Sequence, residues 1–340
     1  MHKSWNSNKY PKRILAIRLQ AMGDVVITLP YLQDLRNKLP ANTQIDLLTR
    51  KEVESIPKSL TLFNKVYSIG GNRSFKKQFA LFLLLLPKIL LKRYDVVIDL
   101  QNNLISRIAR KCIKPKAWSE FDKTSPLAAG ERTRRTIEAI NICNINACTR
   151  FTIKYSATAK ILTQNGWDGK SNLLIINPAG AFETRNWSIK NYVAFMQLFL
   201  QRFPRLQFLI IGVEIIKHKA DFLKNIFGER LIHLINKTTP AEAFAIIQKA
   251  KFVLSEDSGL MHMAWVSGIP TLAMFGSTRS DWSRPLGEHS LLLDSSDLSC
   301  GNCMLEHCKF GDVHCLTRYT PEFVFEKAML LMKTVIKFDS

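Results

Sequence analysis

The chain predicts an α/β protein of two domains, each a parallel sheet flanked by helices, and three observations carry that prediction. Short β-prone runs alternate with helical stretches along the whole length. A strand running into a Gly-containing turn and then a helix start occurs near both ends, at 14–24 and at 252–262. A length of 340 residues with 46% apolar content is ample for two cores.

The elements follow in order. After a polar arm over 1–10, strands are expected near 13–19, 44–49, 65–69 and 95–100, separated by helical stretches such as 24–39 and 78–92. The span 116–136 carries a Gly-Glu turn and the basic cluster Arg132, Arg134 and Arg135, and reads as a substrate loop or a solvated face. A short helix within 156–171 ends in Asn165-Gly166-Trp167-Asp168-Gly169-Lys170, a suitable inter-domain linker. The second domain restarts with strands near 173–176, 208–212, 231–234, 252–254, 271–275 and 290–293. This organisation places the domains at 1–165 and 166–320, with a terminal helix at about 321–336. There is no low-complexity tract and no short repeat.

Polar residues gather where strands end, the edge at which open α/β sheets bind ligands. Ser258-Gly259 after Phe252-Val253-Leu254 turns the backbone sharply and leaves the first amides of the next helix free to face an anion such as a nucleotide diphosphate. Asp257 could hold a ribose hydroxyl or only cap the helix; His262, one turn on, could face the same pocket or be a satisfied core histidine. At the other end Gly23 permits close backbone approach, and Asp24 at a helix start stays ionised. It is either an ordinary cap or a carboxylate able to take a proton from a hydroxyl.

Five landmarks in order then resemble glycosyltransferase family 9, the bacterial lipopolysaccharide heptosyltransferases. They are Arg18-Leu19-x-x-x-Gly23-Asp24-Val25-x-x-Thr28-x-Pro30; Tyr94-Asp95-Val96-Val97-Ile98-Asp99-Leu100-Gln101; Asn177-Pro178-Ala179-Gly180 with Arg185-Asn186-Trp187; Asp257-Ser258-Gly259-Leu260-Met261-His262; and Phe275-Gly276-Ser277-Thr278. The resemblance implies a GT-B fold, two Rossmann-like domains facing a central cleft, with the acceptor held by the first and the nucleotide sugar by the second. The terminal helix would return to the first domain.

It also implies an inverting, metal-independent transfer from ADP-heptose to a lipopolysaccharide core or related surface glycan. Asp24 would be the base, with Arg18, Gly23, Arg132, Arg134 and Arg135 on the acceptor side. Arg185 would bind phosphate, together with Asp257, the amides around Ser258, Gly259 and Leu260, and His262. Where the family often has hydroxyl residues in the preceding loop this chain has Gly180-Ala181-Phe182, a lack that Thr184 could offset. Glu214 is an adenine or ribose contact in this reading. A nucleotide-sugar epimerase of similar layout is the nearest alternative.

Charge is uneven. Residues 1–165 hold 29 Lys and Arg against 11 Asp and Glu, a net +18; residues 166–340 hold 19 against 17, a net +2, together the +20 of the chain. The first half should meet something anionic. A noncatalytic nucleic-acid-binding protein is the alternative from another class, but no zinc finger, RNP-type aromatic motif or basic helix is present. An anionic glycolipid at the inner face of the cytoplasmic membrane fits the charge better. The apolar segment 79–91 is too short and too interrupted to span a bilayer, and is either an interfacial or a buried helix. The polar residues 1–10 lack the apolar core of a signal peptide, so a cytoplasmic enzyme is expected; with the charge it is expected to be peripheral on the inner membrane, and it is expected to be a monomer.

Of seven cysteines, Cys112, Cys143 and Cys148 show no regular spacing. The others, Cys300-x2-Cys303-x4-Cys308-x6-Cys315, are tightly spaced, which raises a structural zinc site although the spacing is that of no standard ribbon or finger; free thiols or an incidental disulfide are the alternatives.

Overall fold

The computed structural model describes residues 1–335 except 73, 155, 156 and 181. The chain forms two compact units, residues 1–155 and 156–340. The boundary falls ten residues before the expected one because the short helix preceding the linker buries Thr158 and Leu162 within the second unit.

The first unit contains the strands β1 (His2–Lys3), β2 (Arg13–Ile17), β3 (Gln44–Arg50), β4 (Lys65–Ile69), β5 (Val96–Asp99) and β6 (Ala117–Glu120). They form one sheet in the order β1-β6-β5-β2-β3-β4. All pairings are parallel except β1 with β6. Its helices are α1 (Met22–Lys38), α2 (Ser55–Ser59), α3 (Phe75–Leu90), α4 (Leu104–Ile113) and α5 (Ala129–Glu138). The polar arm therefore supplies an edge strand, and the span 116–136 is not a loop but contains β6 and α5. Helix α1 buries ten residues, from Val25 to Leu35, so it needs cover beyond its sheet-facing side; α5, which buries Thr133, Thr136 and Ile137, packs beside it and also meets β5 and β6. Helix α3 buries only Phe82 and Ile89 fully, so it is not a buried helix.

The second unit contains α6 (Thr158–Gln164), α7 (Ile189–Arg202), α8 (Lys217–Phe227), α9 (Pro240–Ile247), α10 (Gly259–Val266), α11 (Ser280–Ser283), α12 (His314–Thr317) and α13 (Pro321–Val335). Its strands are β7 (Leu173–Asn177), β8 (Gln207–Gly212), β9 (Leu231–Ile235), β10 (Phe252–Glu256), β11 (Thr271–Met274) and β12 (Ser290–Leu293), all parallel, in the order β12-β11-β10-β7-β8-β9. Every residue of β7 and β10 is buried, as a parallel sheet covered on both faces requires. Thr239 and Glu242 close a capping box at the start of α9, with Pro240 as its first residue. Of the terminal helix, expected to return to the first domain, Val324, Ala328, Leu331 and Met332 of α13 lie in the second unit's core, against α7. Residue 336, expected in that helix, lies outside the described residues.

The expected pair of Rossmann-like parallel-sheet domains is present. In each the chain runs outward from a central strand in one direction, then returns and runs in the other. The reversals fall between β2 and β5 and between β7 and β10. At such points the loops leaving adjacent strands part and leave a crevice.

Candidate functional site

At the first unit's reversal, the loop after β2 brings Arg18 and Asp24 together. Arg18 is 5% exposed; its Nη1 donates to the Leu100 carbonyl and its Nη2 to Asp24 Oδ1 at 2.7 Å. Its guanidinium lies 4.8 Å from the centre of the Phe121 ring. Burial lowers the Arg18 pKa, and the Asp24 carboxylate acts against that shift. The Leu19 amide donates to Gln101 Oε1 at 2.8 Å, tying the β2 loop to the one after β5. Asp24 sits in the first turn of α1, where the dipole favours a carboxylate, and its side chain remains 32% exposed. One carboxylate oxygen is gripped while the group stays open to an incoming hydroxyl.

The basic cluster divides. The Arg132 guanidinium lies 5.0 Å from the centre of the same Phe121 ring and close enough to repel Arg18. Arg134 pairs with Glu131 and Glu138, and Arg135 with Glu131, all on α5. Those two arginines are bound to their own helix rather than carried by a substrate loop.

At the second unit's reversal, the loop 178–188 after β7 meets the start of α10. Arg185 Nη2 donates to the Asp257 carbonyl at 2.6 Å and to Asp257 Oδ2 at 2.8 Å, with the guanidinium 5.2 Å from the Phe182 ring centre. Its Nε is buried and has no hydrogen-bond partner among the described residues. Ser258 caps α10 by accepting from the Met261 amide at 3.3 Å, and Asn177 Nδ2 donates to both Ser255 and Ser258 hydroxyls at 2.7 Å. A Cβ on Gly259 would meet nothing within 4 Å, so this helix start, with half-buried Leu260 next in line, opens onto free space.

Three of the residues expected at the donor already have partners within the unit. Thr184 is 2% exposed; its hydroxyl donates to the Leu305 carbonyl and lies 2.9 Å from Ser277 Oγ, so it holds the loop in place and is not turned to a phosphate. His262 is 6% exposed, and its Nδ1 accepts from Trp265 Nε1 at 3.3 Å, which is the core-histidine alternative. Asp257 is the partner of Arg185 rather than a free ribose contact. Glu214, exposed after β8, accepts from Asn236 Nδ2 at 2.5 Å. Ala181 of the departing loop lies outside the described residues.

Sequence reasoning missed Glu256. Fully buried at the end of β10, it accepts from the Trp187 amide on Oε1 at 2.6 Å and from the Gly180 amide on Oε2, clamping both ends of the loop that carries Arg185. Burial pushes its pKa up to about 7 against the pull of Lys219 and the two amides. Lys219 donates to the Pro178 carbonyl at 2.9 Å and to Asn186 Oδ1, a second clamp on the same loop. The only signal in the sequence was an acidic residue closing an otherwise apolar strand.

Cys300, Cys303, Cys308 and Cys315 are free thiols and line one cavity of about 70 Å³ with His314 and Asp312. Burial, then the neighbouring sulfurs, raise the Cys315 thiol to about 11. Among the described residues no three His, Cys, Asp or Glu are grouped so that they could hold a metal ion.

The family model for glycosyltransferase family 9 (heptosyltransferase) matches residues 138–314, just over half of the chain. A lipooligosaccharide heptosyltransferase 2 of Campylobacter jejuni is 23% identical over 321 residues, covering 90% of this chain and 95% of that protein. Among solved structures, a family 9 glycosyl transferase from Veillonella parvula superposes with a TM-score of 0.79 at 17% identity, over 95% of this chain and 97% of the other. An E. coli heptosyltransferase solved with ADP-2-deoxy-2-fluoro heptose superposes with a TM-score of 0.64 at 17% identity, over 94% of this chain and 99% of the other.

Proposed function

Because the chain belongs to glycosyltransferase family 9, the heptosyltransferases, we propose that it transfers a heptose from ADP-heptose to an anionic lipopolysaccharide core acceptor, with inversion and without a catalytic metal. Membership in a glycosyltransferase family retires the epimerase and nucleic-acid-binding alternatives. One observation carries the finer reading: each unit gathers its chemistry at its own chain reversal, an open carboxylate at Asp24 in the first and an arginine over a helix start in the second. The ADP-sugar analogue in the E. coli relative supports the donor.

In the proposed reaction the acceptor hydroxyl oxygen attacks the anomeric carbon from the face opposite ADP. A carbon–oxygen bond forms as the bond from that carbon to the ADP oxygen breaks, and the hydroxyl proton passes to Asp24. Arg18 aims the Asp24 carboxylate, and the close approach at Gly23 leaves room for the sugar. Negative charge growing on the departing diphosphate meets the Arg185 guanidinium and the amides of Gly259 and Leu260, fixed donors in place before the reaction. Glu214, at the end of β8, is assigned to the ribose or adenine. The net +18 of residues 1–165 suits an acceptor bearing phosphates and acidic sugars at the inner face of the cytoplasmic membrane. The enzyme acts as a monomer in this reading.

Cys300, Cys303, Cys308 and Cys315 line a single cavity, but among the described residues no three are grouped to hold a metal, so a structural zinc there requires this segment to draw its thiols closer together. It takes no part in the chemistry.

The test is ADP release from ADP-heptose with and without deacylated core acceptor. Release only when acceptor is present supports transfer. Release or donor isomerisation without acceptor, or release from a different nucleotide sugar alone, contradicts it.

A further inference from the structure

Helix α3 presents two faces of opposite fate. Phe82 and Ile89, seven residues apart, are fully buried against β4 and α4. Leu84 and Leu91, each two residues further on and so on the opposite face, are 78% and 82% exposed. Leu81, Leu83 and Leu90 are exposed on the flanks of that face. An apolar stripe this long on one helix is unusual for a surface meeting only water.

The charge around it narrows what can cover it. Residues 55–94 contain eight Lys and Arg and no Asp or Glu. Lys76, Lys77 and Lys88 are exposed on the same outward side of α3 as the leucines, with Lys92 and Arg93 directly after it. A second copy docked on this face would bring like charges together. Long lysine stems can lie along apolar surface while their ammonium groups reach a layer of anions. No described helix is long and apolar enough to cross a membrane, so the fitting geometry is a helix lying in the surface plane.

We infer that α3 docks the first unit on an anionic bilayer, with Leu84 and Leu91 entering the acyl boundary and Lys76, Lys77 and Lys88 meeting lipid phosphates. The inference rests on the proposed glycolipid acceptor for its purpose: it holds the enzyme in the plane where that acceptor lies. Neither Asp24 nor the Arg185 loop takes part in it.

The test is flotation of the full chain with vesicles of phosphatidylcholine alone, and of phosphatidylcholine and phosphatidylglycerol in equal parts. The wild-type protein should float with the second and not the first, and binding should weaken as salt rises. Leu84→Gln/Leu91→Gln should weaken binding roughly tenfold or more, since several buried methylenes are lost. Lys76→Gln/Lys77→Gln should weaken it about 25-fold, at about fivefold per charge. All four side chains are exposed, so thermal unfolding serves as a control and should not move.

Equal binding by the leucine variant, equal partition into neutral vesicles, or no flotation at all overturns the inference. So does concentration-dependent self-association that the leucine substitutions abolish, which would assign the face to a second copy. ADP release with soluble deacylated acceptor separates the two proposals. Transfer without vesicle binding removes the docking surface alone, and vesicle binding without transfer removes the proposed reaction alone.

Discussion

The Trp187 amide donates to Glu256 Oε1 at 2.6 Å, joining the far end of the loop that carries Arg185 to the end of β10. The Gly180 amide does the same on the other oxygen, and a Cβ on Gly180 would collide with the Arg185 carbonyl and with Glu256 itself. The loop that carries Arg185 is therefore held at both ends by a buried carboxylate.

That carboxylate makes stability depend on pH in a defined window. Its folded pKa of about 7 lies above the ordinary 4.5, so the folded state binds the proton more tightly than the unfolded chain. The stabilisation is complete below about 4.5 and is lost as pH rises through about 7. Thermal unfolding of the wild-type protein should fall across that window, and Glu256→Gln, which cannot ionise, should flatten the fall. Gln also presents an amide N–H to one of the two backbone donors, so at low pH the variant should be weaker by about 1–3 kcal/mol. Parallel pH profiles for the two proteins would contradict the assignment.

Arg185→Ala should weaken ADP binding roughly 10- to 100-fold, the range of a charge-assisted hydrogen bond of about 1.5–3 kcal/mol. Calorimetry reads this directly. The substitution also leaves the Asp257 carboxylate without its guanidinium, so Arg185→Lys should recover part of the loss. Unchanged affinity in Arg185→Ala would remove the residue from the donor site.

The sequence reading succeeded where burial writes itself into composition. Parallel strands covered on both faces are mostly apolar runs, and β7, β8 and β10 stood out for that reason. It failed where an element is half polar. Strand β6, Ala117-Trp118-Ser119-Glu120, is short and alternates, and α5 is rich in charge because only one side of it rests on α1. The two chain reversals were legible through glycine, serine and aspartate at strand ends. What Thr184 does was not, since its partner Leu305 lies 121 residues away. Nor was the place of α13, whose apolar face alone does not say which unit it joins.

Arg18 should behave as a positioning residue. Lysine keeps the charge but cannot reach both Asp24 and the Leu100 carbonyl with a fixed fork. Arg18→Lys should lower kcat roughly tenfold while leaving donor affinity unchanged, the cost of a misaimed group rather than a lost one. A fall in donor affinity with kcat intact would place Arg18 in binding instead.

The four cysteines separate by metal analysis of protein purified under reducing conditions. The zinc proposal predicts about one zinc per chain and a lower Tm after chelation, since metal held in a folded site adds to folding stability. Four titratable thiols and no metal would leave a cavity-lining cluster without a metal role. In either case Cys303→Ser that remains folded should keep its turnover.

The account's central claim is that Asp24 removes the acceptor proton while the second unit alone holds the donor. Asp24→Asn keeps the shape and can still accept from Arg18 through its carbonyl, so the fold and ADP affinity should be nearly unchanged. Measuring kcat at saturating ADP-heptose and acceptor, with ADP affinity by calorimetry on the same preparation, tests this most directly. A fall in kcat of roughly 10²-fold or more with ADP affinity preserved is the predicted result. Turnover at saturation equal to wild type, or a loss confined to ADP binding, would contradict it.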